Sequence, residues 1–411
     1  NTNSPYDISG IPDMNPPSAL ALLETPVLRE EIQAAGPTTA RFYYMDSMRS
    51  VLMILGVVLH GALIYSSGDH WIVSDSHKSE FFYVLGSSIH AFRMPTFFII
   101  AGFFSMMGLK KYGVNTFAKL RLLRILPPLF FTALLINTVE LYFRTSIIEH
   151  QRMSFMHFLI HELPQKWIAG EWVSHLWFLL TLLQFFAVGI GLYALSRHFS
   201  NSGRLNRLLA PLRKNCYFLM LLPLTDLGWG ITDKLYPELS HGTHFHGLFN
   251  VEDFIVFLPY FLMGLWLFRD KALQQEFHSI ARWEWIALAI SLLAHYVESN
   301  AHGVNAESVL RIYSASLICA LASHICYVLF YQFMNRNSPF FRYLSDASYS
   351  IYLFHHLCVI VFGYLLLNAS IAIGYKFLAV EVATLSLTLA IHHFLILKFK
   401  PLRFMFNGKW S

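Results

Sequence analysis

From Tyr43 to Leu397 the chain is a succession of apolar runs, many longer than the ~18 residues that distinguish a membrane-spanning helix from a core strand. Only 13% of its 411 residues carry a formal charge, about half the roughly 25% usual for soluble domains, while 55% are apolar and 37 are Phe. This excludes a disordered chain and argues against a soluble enzyme. We read an all-α polytopic bundle of about ten spans, each near the ~20 residues a bilayer requires. They run approximately Arg49–Ser66, Phe82–Met107, Ile125–Phe143, Leu176–Leu195, Cys216–Gly230, Phe254–Phe268, Trp283–Val297, Val309–Phe333, Ser350–Leu367 and Ile373–Leu397. Cys216–Gly230 is short and carries Asp226, so a re-entrant or tilted helix is the alternative there. Residues 1–40 are polar and rich in Pro and Ala, lack a signal-peptide pattern, and read as a cytoplasmic tail ahead of an integral domain over residues 41–411.

Lys and Arg accumulate in cytoplasmic loops, and the loops obey that rule alternately. Lys110, Lys111, Lys119, Arg121 and Arg124 follow the second span, Arg197, Arg204, Arg207, Arg213 and Lys214 the fourth, and Lys398, Lys400, Arg403 and Lys409 the tenth. The intervening loops hold acids such as Asp69, Asp75, Glu80, Glu238 and Glu307. The alternation predicts an even number of spans with both termini cytoplasmic. No internal repeat is visible, and the paired broken helices of an inverted-repeat transporter are not found.

Ionisable residues inside apolar runs are costly and commonly functional. The first span holds Asp46, Arg49 and His60; eleven residues make about three helical turns, so Arg49 and His60 share a face roughly 16 Å apart along the axis. A snorkelling arginine with a hydrogen-bonded histidine and a substrate path are both open readings. In the second span His90 and Arg93 are i,i+3 neighbours, and an arginine so far from a loop needs an anion, a carbonyl or water beside it. Such a guanidinium holds a phosphate or carboxylate bidentately. Lys119, Arg121 and Arg124 sit at the cytoplasmic mouth, which ordinary positive-inside loading also explains. His175 and Trp177 open the fourth span, where an aromatic belt is expected anyway. Asp346, Ser348, Tyr349, Tyr352, His355 and His356 fall within three turns at the start of the ninth. Arg311, His324 and Glu381 are further buried ionisable groups expected to pair within the bundle. Cys216, Cys319, Cys326 and Cys358 form no C-x-x-C pair, so neither a disulfide framework nor a zinc site is expected, and we read the loop histidines His241, His244 and His246 as solvated.

The Asp46, Arg49 and His60 pattern, followed in order by FRMPTFFIIAGFF, RLLRILPP, HLWFLL, FLPYFLMGLWLF and SYSIYLFHH, resembles the acyltransferase 3 family of membrane O-acyltransferases over roughly Tyr43 to Lys409. Two positions depart from the family's pattern: Ala101 stands where Ser often precedes Gly, and Leu357 where Pro often follows the ninth-span histidines. The resemblance implies transfer of an acyl group, with succinyl favoured, from cytosolic acyl-CoA to sugar hydroxyls of periplasmic glucans, in a bacterial inner membrane. The donor is then succinyl-CoA or acetyl-CoA, no permanently bound cofactor or metal is implied, and nucleic acid is not a partner. In that frame Lys119, Arg121 and Arg124 attract the nucleotide, and Arg49 and Arg93 position the pantetheine arm, the acyl carbonyl or a succinyl carboxylate. His60 is the general base on the acceptor hydroxyl, a covalent acyl-histidine being the variant, and His355 orients the acceptor or the tetrahedral intermediate. Asp46 anchors Arg49 at i,i+3, and His90, His175, Trp177 and Tyr352 complete the binding residues. The alternatives are O-acetylation of lipopolysaccharide or another surface polysaccharide, and, from a different class, a glycan or anion transporter.

Overall fold

The computed structural model describes residues 41–68, 71–196, 210–237, 244–302 and 308–409. The tail expected over residues 1–40 lies outside them, as do the loop residues Asp69, Arg197, Arg204, Arg207, Glu238, His241 and Glu307. By its contacts the chain divides into Asn1–Tyr43 and Tyr44–Ser411, and the helical bundle is the second unit.

Helices occupy each of the ten apolar segments. The principal ones are α1 (Tyr43–Tyr65), α2 (Glu80–Phe131), α3 (Thr138–Phe143), α4 (Trp177–Ser196), α5 (Pro223–Leu235), α6 (Val251–Arg269), α7 (Arg282–His302), α8 (Val309–Phe333), α9 (Pro339–Leu366), α10 (Ile373–Ala390) and α11 (Lys400–Asn407). Among the described residues seven helical stretches are long and apolar enough to cross a membrane. Two expected spans, Phe82–Met107 and Ile125–Phe143, fall in one such stretch, Glu80–Ile148. At ~1.5 Å per residue its 69 residues far exceed a bilayer's ~30 Å. Gly113 breaks it in the middle: at φ 73° and ψ 174° it adopts backbone angles closed to other residues, and two helices meet there. The remaining two segments are also helical. Cys216–Gly230 becomes a 3₁₀ stretch, Lys214–Leu221, running into α5, and Trp283–Val297 becomes α7.

Where sequence marks an end, the caps are made by side chains. Ser79, Asn250, Ser308 and Ser338 each accept a backbone N–H from the first turn of the helix that follows. The helices then bury faces against one another: α6 crosses α2, α9 lies on α10, α7 on α8, and α2 also carries α4 and α8. The α2–α6 crossing is backbone against backbone. A Cβ on Gly264 would meet the Ile99 carbonyl and lie 2.8 Å from Phe103 N, and one on Gly102 would lie 3.0 Å from Gly264 Cα, so only glycine at both positions permits this approach. Opposite faces remain exposed and apolar, as with Leu122, Leu126 and Phe130 on α2 and Ile286, Ile290 and Leu293 on α7, the pattern of helices that meet lipid.

Two segments position the functional site. The loop between α1 and α2 is clasped by Asp75, whose amide donates to Ile64 O at 2.9 Å and whose carboxylate accepts from Lys376 Nζ at 2.8 Å and from the His77 amide. Between α2 and α3 the helix widens into a π turn, Thr132–Asn137, a device that re-aims the residues after it. Asn137, fully buried there, donates to the carbonyls of Trp172 and Val173 at 2.8 and 3.4 Å, tying the turn before α4 to the helix that carries Glu140.

Candidate active site

α1, α2, α3, the start of α4, α9 and the Gly170–Leu176 turn converge on a cavity of about 270 Å³, and seven residues singled out from sequence line it: His60, Arg93, His175, Trp177, Tyr352, His355 and His356. Arg49, His90, Lys119, Arg121, Arg124 and Asp46 are not among its walls.

His60 reaches it from α1, one turn beyond Gly56. Its ring centroid lies 5.3 Å from that of His355 and 5.0 Å from that of His356, and Trp71, from the clasped loop, stacks on it at 5.7 Å. The side chain of Arg93 is threaded from α2 onto α1. Nε donates to Leu52 O at 3.0 Å, and the guanidinium lies over Gly56, whose missing side chain makes the room. Arg93 is buried within the protein, and among the described residues it has no carboxylate partner. A guanidinium so placed is a donor awaiting an anion or a polarised carbonyl.

The α9 histidines differ in their tethers. His355 Nδ1 contacts the carbonyls of Tyr352 and Ile351 at 2.8 and 3.2 Å; carbonyls only accept, so Nδ1 carries the proton. His356 Nδ1 lies 2.9 Å from Glu140 Oε2, and Ser174 Oγ donates to Glu140 Oε1 at 2.8 Å. Ser174 itself has φ 43°, a left-handed backbone that is strained for a serine. His175 stacks on His356 at 4.9 Å and its carbonyl accepts the Tyr352 hydroxyl at 2.7 Å, while both its ring nitrogens are buried with no hydrogen-bond partner among the described residues. Arg144 and Glu171 at the rim are taken up by Glu149 and Lys166.

Glu140, His175 and His356 each offer an atom within 4.8 Å of the other two, the density of a small-cation site. Zinc bonds of ~2.0–2.1 Å would hold tetrahedral ligand atoms about 3.3 Å apart. Glu140 and His356 stand closer than that, at a hydrogen bond's length, so we read them as bonded to each other.

A second cluster lies on the cytoplasmic side of the predicted topology. Asp46 holds Arg49 at 3.5 Å, as the i,i+3 spacing implied, and Ser345 bridges the pair by accepting from Arg49 and donating to Asp46. Arg124 lies within electrostatic reach of Arg49, Arg121, Lys409 and Asp346, and Lys409 also of Arg49 and Arg403. Arg121 also packs its guanidinium against Phe117 and Phe186, 5.1 Å from each ring.

His90 is exposed on α2, whereas Arg93 is buried, so the two point to different surroundings. Glu381 differs from its expected pairing: it packs against Gly61 with neither carboxylate oxygen hydrogen-bonded among the described residues. His324 does pair, with Glu284 at 2.6 Å. Sequence reasoning misses Glu140, Ser174, Trp71 and the tether on His356. Glu140 and Asn137 do leave a signal, a carboxylate and an amide inside the apolar run ILPPLFFTALLINTVELYF.

Outside the spans, burial pushes the Asp75 carboxyl up, but the Lys376 ammonium and the His77 amide outweigh it and hold the group below the ordinary carboxylate value.

Compared with known proteins, residues 42–393 match the acyltransferase domain. Glucans biosynthesis protein C of Escherichia coli O81 (strain ED1a) is 26% identical over 381 residues, covering 90% of this chain and 95% of the relative. The protein of that name from Shigella dysenteriae serotype 1 is similar to the same extent, and that of Escherichia coli O157:H7 is 27% identical over 380 residues. No solved structure matches.

Proposed function

Since this chain belongs to the acyltransferase family that matches it over residues 42–393, and is a multi-pass bacterial membrane O-acyltransferase, we propose that it moves an acyl group, succinyl favoured, from cytosolic acyl-CoA to sugar hydroxyls of periplasmic glucans. The observation that carries the proposal is the convergence on one cavity of His60 and an Arg93 that no described carboxylate neutralises. The relatives' name supports the glucan acceptor. At about 270 Å³ the cavity is small for a ligand pocket, which favours a short acyl group. Succinyl adds a carboxylate that a guanidinium can hold, and acetyl is the runner-up.

The proposed topology keeps ten crossings and cytoplasmic termini. The cluster of Arg49, Arg121, Arg124 and Lys409, together with Lys119 two residues before Arg121, holds the donor's phosphates. The pantetheine arm spans the roughly 16 Å up α1 to His60. His60 takes the acceptor's hydroxyl proton as its oxygen attacks the thioester carbon, a contribution of about 10²–10⁴ in rate. Arg93 faces the charge that develops on the carbonyl oxygen, and Trp177, Tyr352 and His355 bound the acceptor's place.

Mass spectrometry of periplasmic glucans from cells with and without the gene tests this. A succinyl increment present with the gene, and lost in His60→Ala at unchanged membrane abundance, is the expected result. Unmodified glucans in the wild type reject the acceptor, and full modification by His60→Ala rejects the base.

A further inference from the structure

The proposed reaction leaves a proton on His60, and the cavity's charges make that a poor resting place. An imidazolium there faces Arg93, which already lies within its electrostatic reach, and no carboxylate among the described residues is bonded to His60. One ring away the situation reverses. His356 is bonded to Glu140, both more than nine-tenths buried, and the His60 and His356 centroids are 5.0 Å apart, close enough for their nitrogens to share one hydrogen bond or one water.

We propose that Glu140 and His356 form a proton relay for this site, with Glu140 as the positioning residue and His356 as the group that takes the proton from His60. The proposal rests on the reading of His60 as the base. Glu140 accepts at both oxygens, from His356 Nδ1–H and from the Ser174 hydroxyl, so the proton of neutral His356 is fixed on Nδ1 and Nε2 is left as an acceptor for the cavity. The frame around the pair is held by hydrogen bonds and ring packing. The π turn before α3 aims Glu140 inward, Asn137 binds the turn that carries Ser174, and His175 stacks on His356. At the rim Glu171 is engaged by Lys166 and Arg144 by Glu149, which leaves Glu140 as the cavity acid that compensates the travelling charge.

The step balances. The acceptor O–H breaks and its oxygen bonds to the thioester carbon, while the carbonyl π pair moves to the oxygen facing Arg93. That pair then returns as the C–S bond breaks with its electrons on sulfur. The proton passes from the hydroxyl to His60, to His356 Nε2, and finally to the thiolate, which leaves as the CoA thiol. Both imidazoles end neutral and Glu140 ends as it began.

Full-length protein in lipid nanodiscs, given succinyl-CoA or acetyl-CoA and a glucose oligosaccharide, reports turnover as free thiol. Glu140→Gln keeps the shape but removes the charge and turns one accepting oxygen into an N–H donor, and His356→Ala removes the relay. We expect kcat about 100-fold lower in each, with KM for donor and acceptor within twofold, in the fraction of enzyme that remains folded. Added imidazole should restore His356→Ala in proportion to its concentration, a response that a structural role does not produce. Turnover within threefold of wild type, a loss confined to KM, or no imidazole rescue would each overturn the relay. So would a stoichiometric divalent metal in the wild type that Glu140→Gln loses, since the three groups would then be ligands. If His60→Ala retains full turnover while His356→Ala loses it, the reading of His60 falls as well. If His60→Ala alone is inactive, only the relay falls.

Discussion

A single methyl group placed on Gly56 separates the role of Arg93 from the stability of the bundle. Leu52, Gly56 and His60 lie four residues apart on one face of α1, and Arg93 crosses that face with Nε on Leu52 O and its guanidinium over Gly56. In Gly56→Ala the new Cβ would fall 2.6 Å from Arg93 Cζ and 2.9 Å from Nε, well inside van der Waals contact. The obstructed atoms are the end of a flexible side chain, so the guanidinium moves and the backbone stays. The moved guanidinium loses a charged hydrogen bond worth about 1.5–3 kcal/mol. Alanine's better helix propensity returns about 1 kcal/mol. The net destabilisation is therefore about 0.5–2 kcal/mol, small for a domain of this size. Activity should suffer far more, because removing one donor from a developing oxyanion costs about 10²–10³ in kcat. Thermal unfolding and thiol release, measured on the same nanodisc samples, give both numbers. Arg93→Gln should lose a comparable factor, and the double variant little more than either alone. A Gly56→Ala enzyme with kcat within threefold of wild type would refute the placement of Arg93 against the reacting carbonyl. A parallel collapse of abundance and activity would refute the stability estimate.

Lys376→Met should strand the buried Asp75 carboxylate at about 3–5 kcal/mol and loosen the loop that stacks Trp71 on His60, visible as a lower melting temperature and a raised acceptor KM. Because the Asp75 carboxyl is held below its ordinary value when folded, its contribution is present at neutral pH and is lost as pH falls through the folded-state value, below about 3.9. Stability in Lys376→Met should lack that acid-side fall, and an unchanged acid limb would count against the clasp. Gly264→Ala meets backbone on α2 and not a flexible side chain, so the helices must separate; we expect at least the ~1–3 kcal/mol of an overpacked core, read as lost abundance of folded protein. Arg49→Lys keeps charge but loses the fork that reaches Asp46 and Ser345, and should raise KM for acyl-CoA several-fold with kcat nearly unchanged; an unaltered KM would reduce Arg49 to an anchor.

Much of the bundle is legible in the chain because local physics decides it. Hydrophobic length sets where helices form, so the span read as Val309–Phe333 is the helix observed, beginning after the Ser308 cap. Helical phase puts Arg49 and His60 on one face, and side-chain reach pairs Asp46 with Arg49. Legibility ends where two helices must choose each other. The i,i+3 spacing groups His90 with Arg93, yet about 60° of helical rotation separates them, enough to leave one exposed while the other is buried on α1. Glu140 escapes a sequence reading because its run is apolar on average and its partner lies 216 residues away. Its direction also depends on a π turn that no periodicity announces.

Glu140 illustrates a rule with a physical basis. A carboxylate in an apolar span, with no basic residue within one turn, is too costly to keep in hydrocarbon without a purpose. Glu140 has Val139, Leu141, Tyr142 and Phe143 around it and no nearer cation than Arg144, which turns to Glu149. Such a residue predicts a polar partner on another helix, and here that partner is His356, whose ring lies 5.0 Å from that of His60. The second example behaves consistently. Glu381, equally isolated in its run, abuts Gly61, the residue next to His60. Glu140, through His356, and Glu381, through Gly61, thus lead back to the same turn of α1, the turn from which the proposed relay starts.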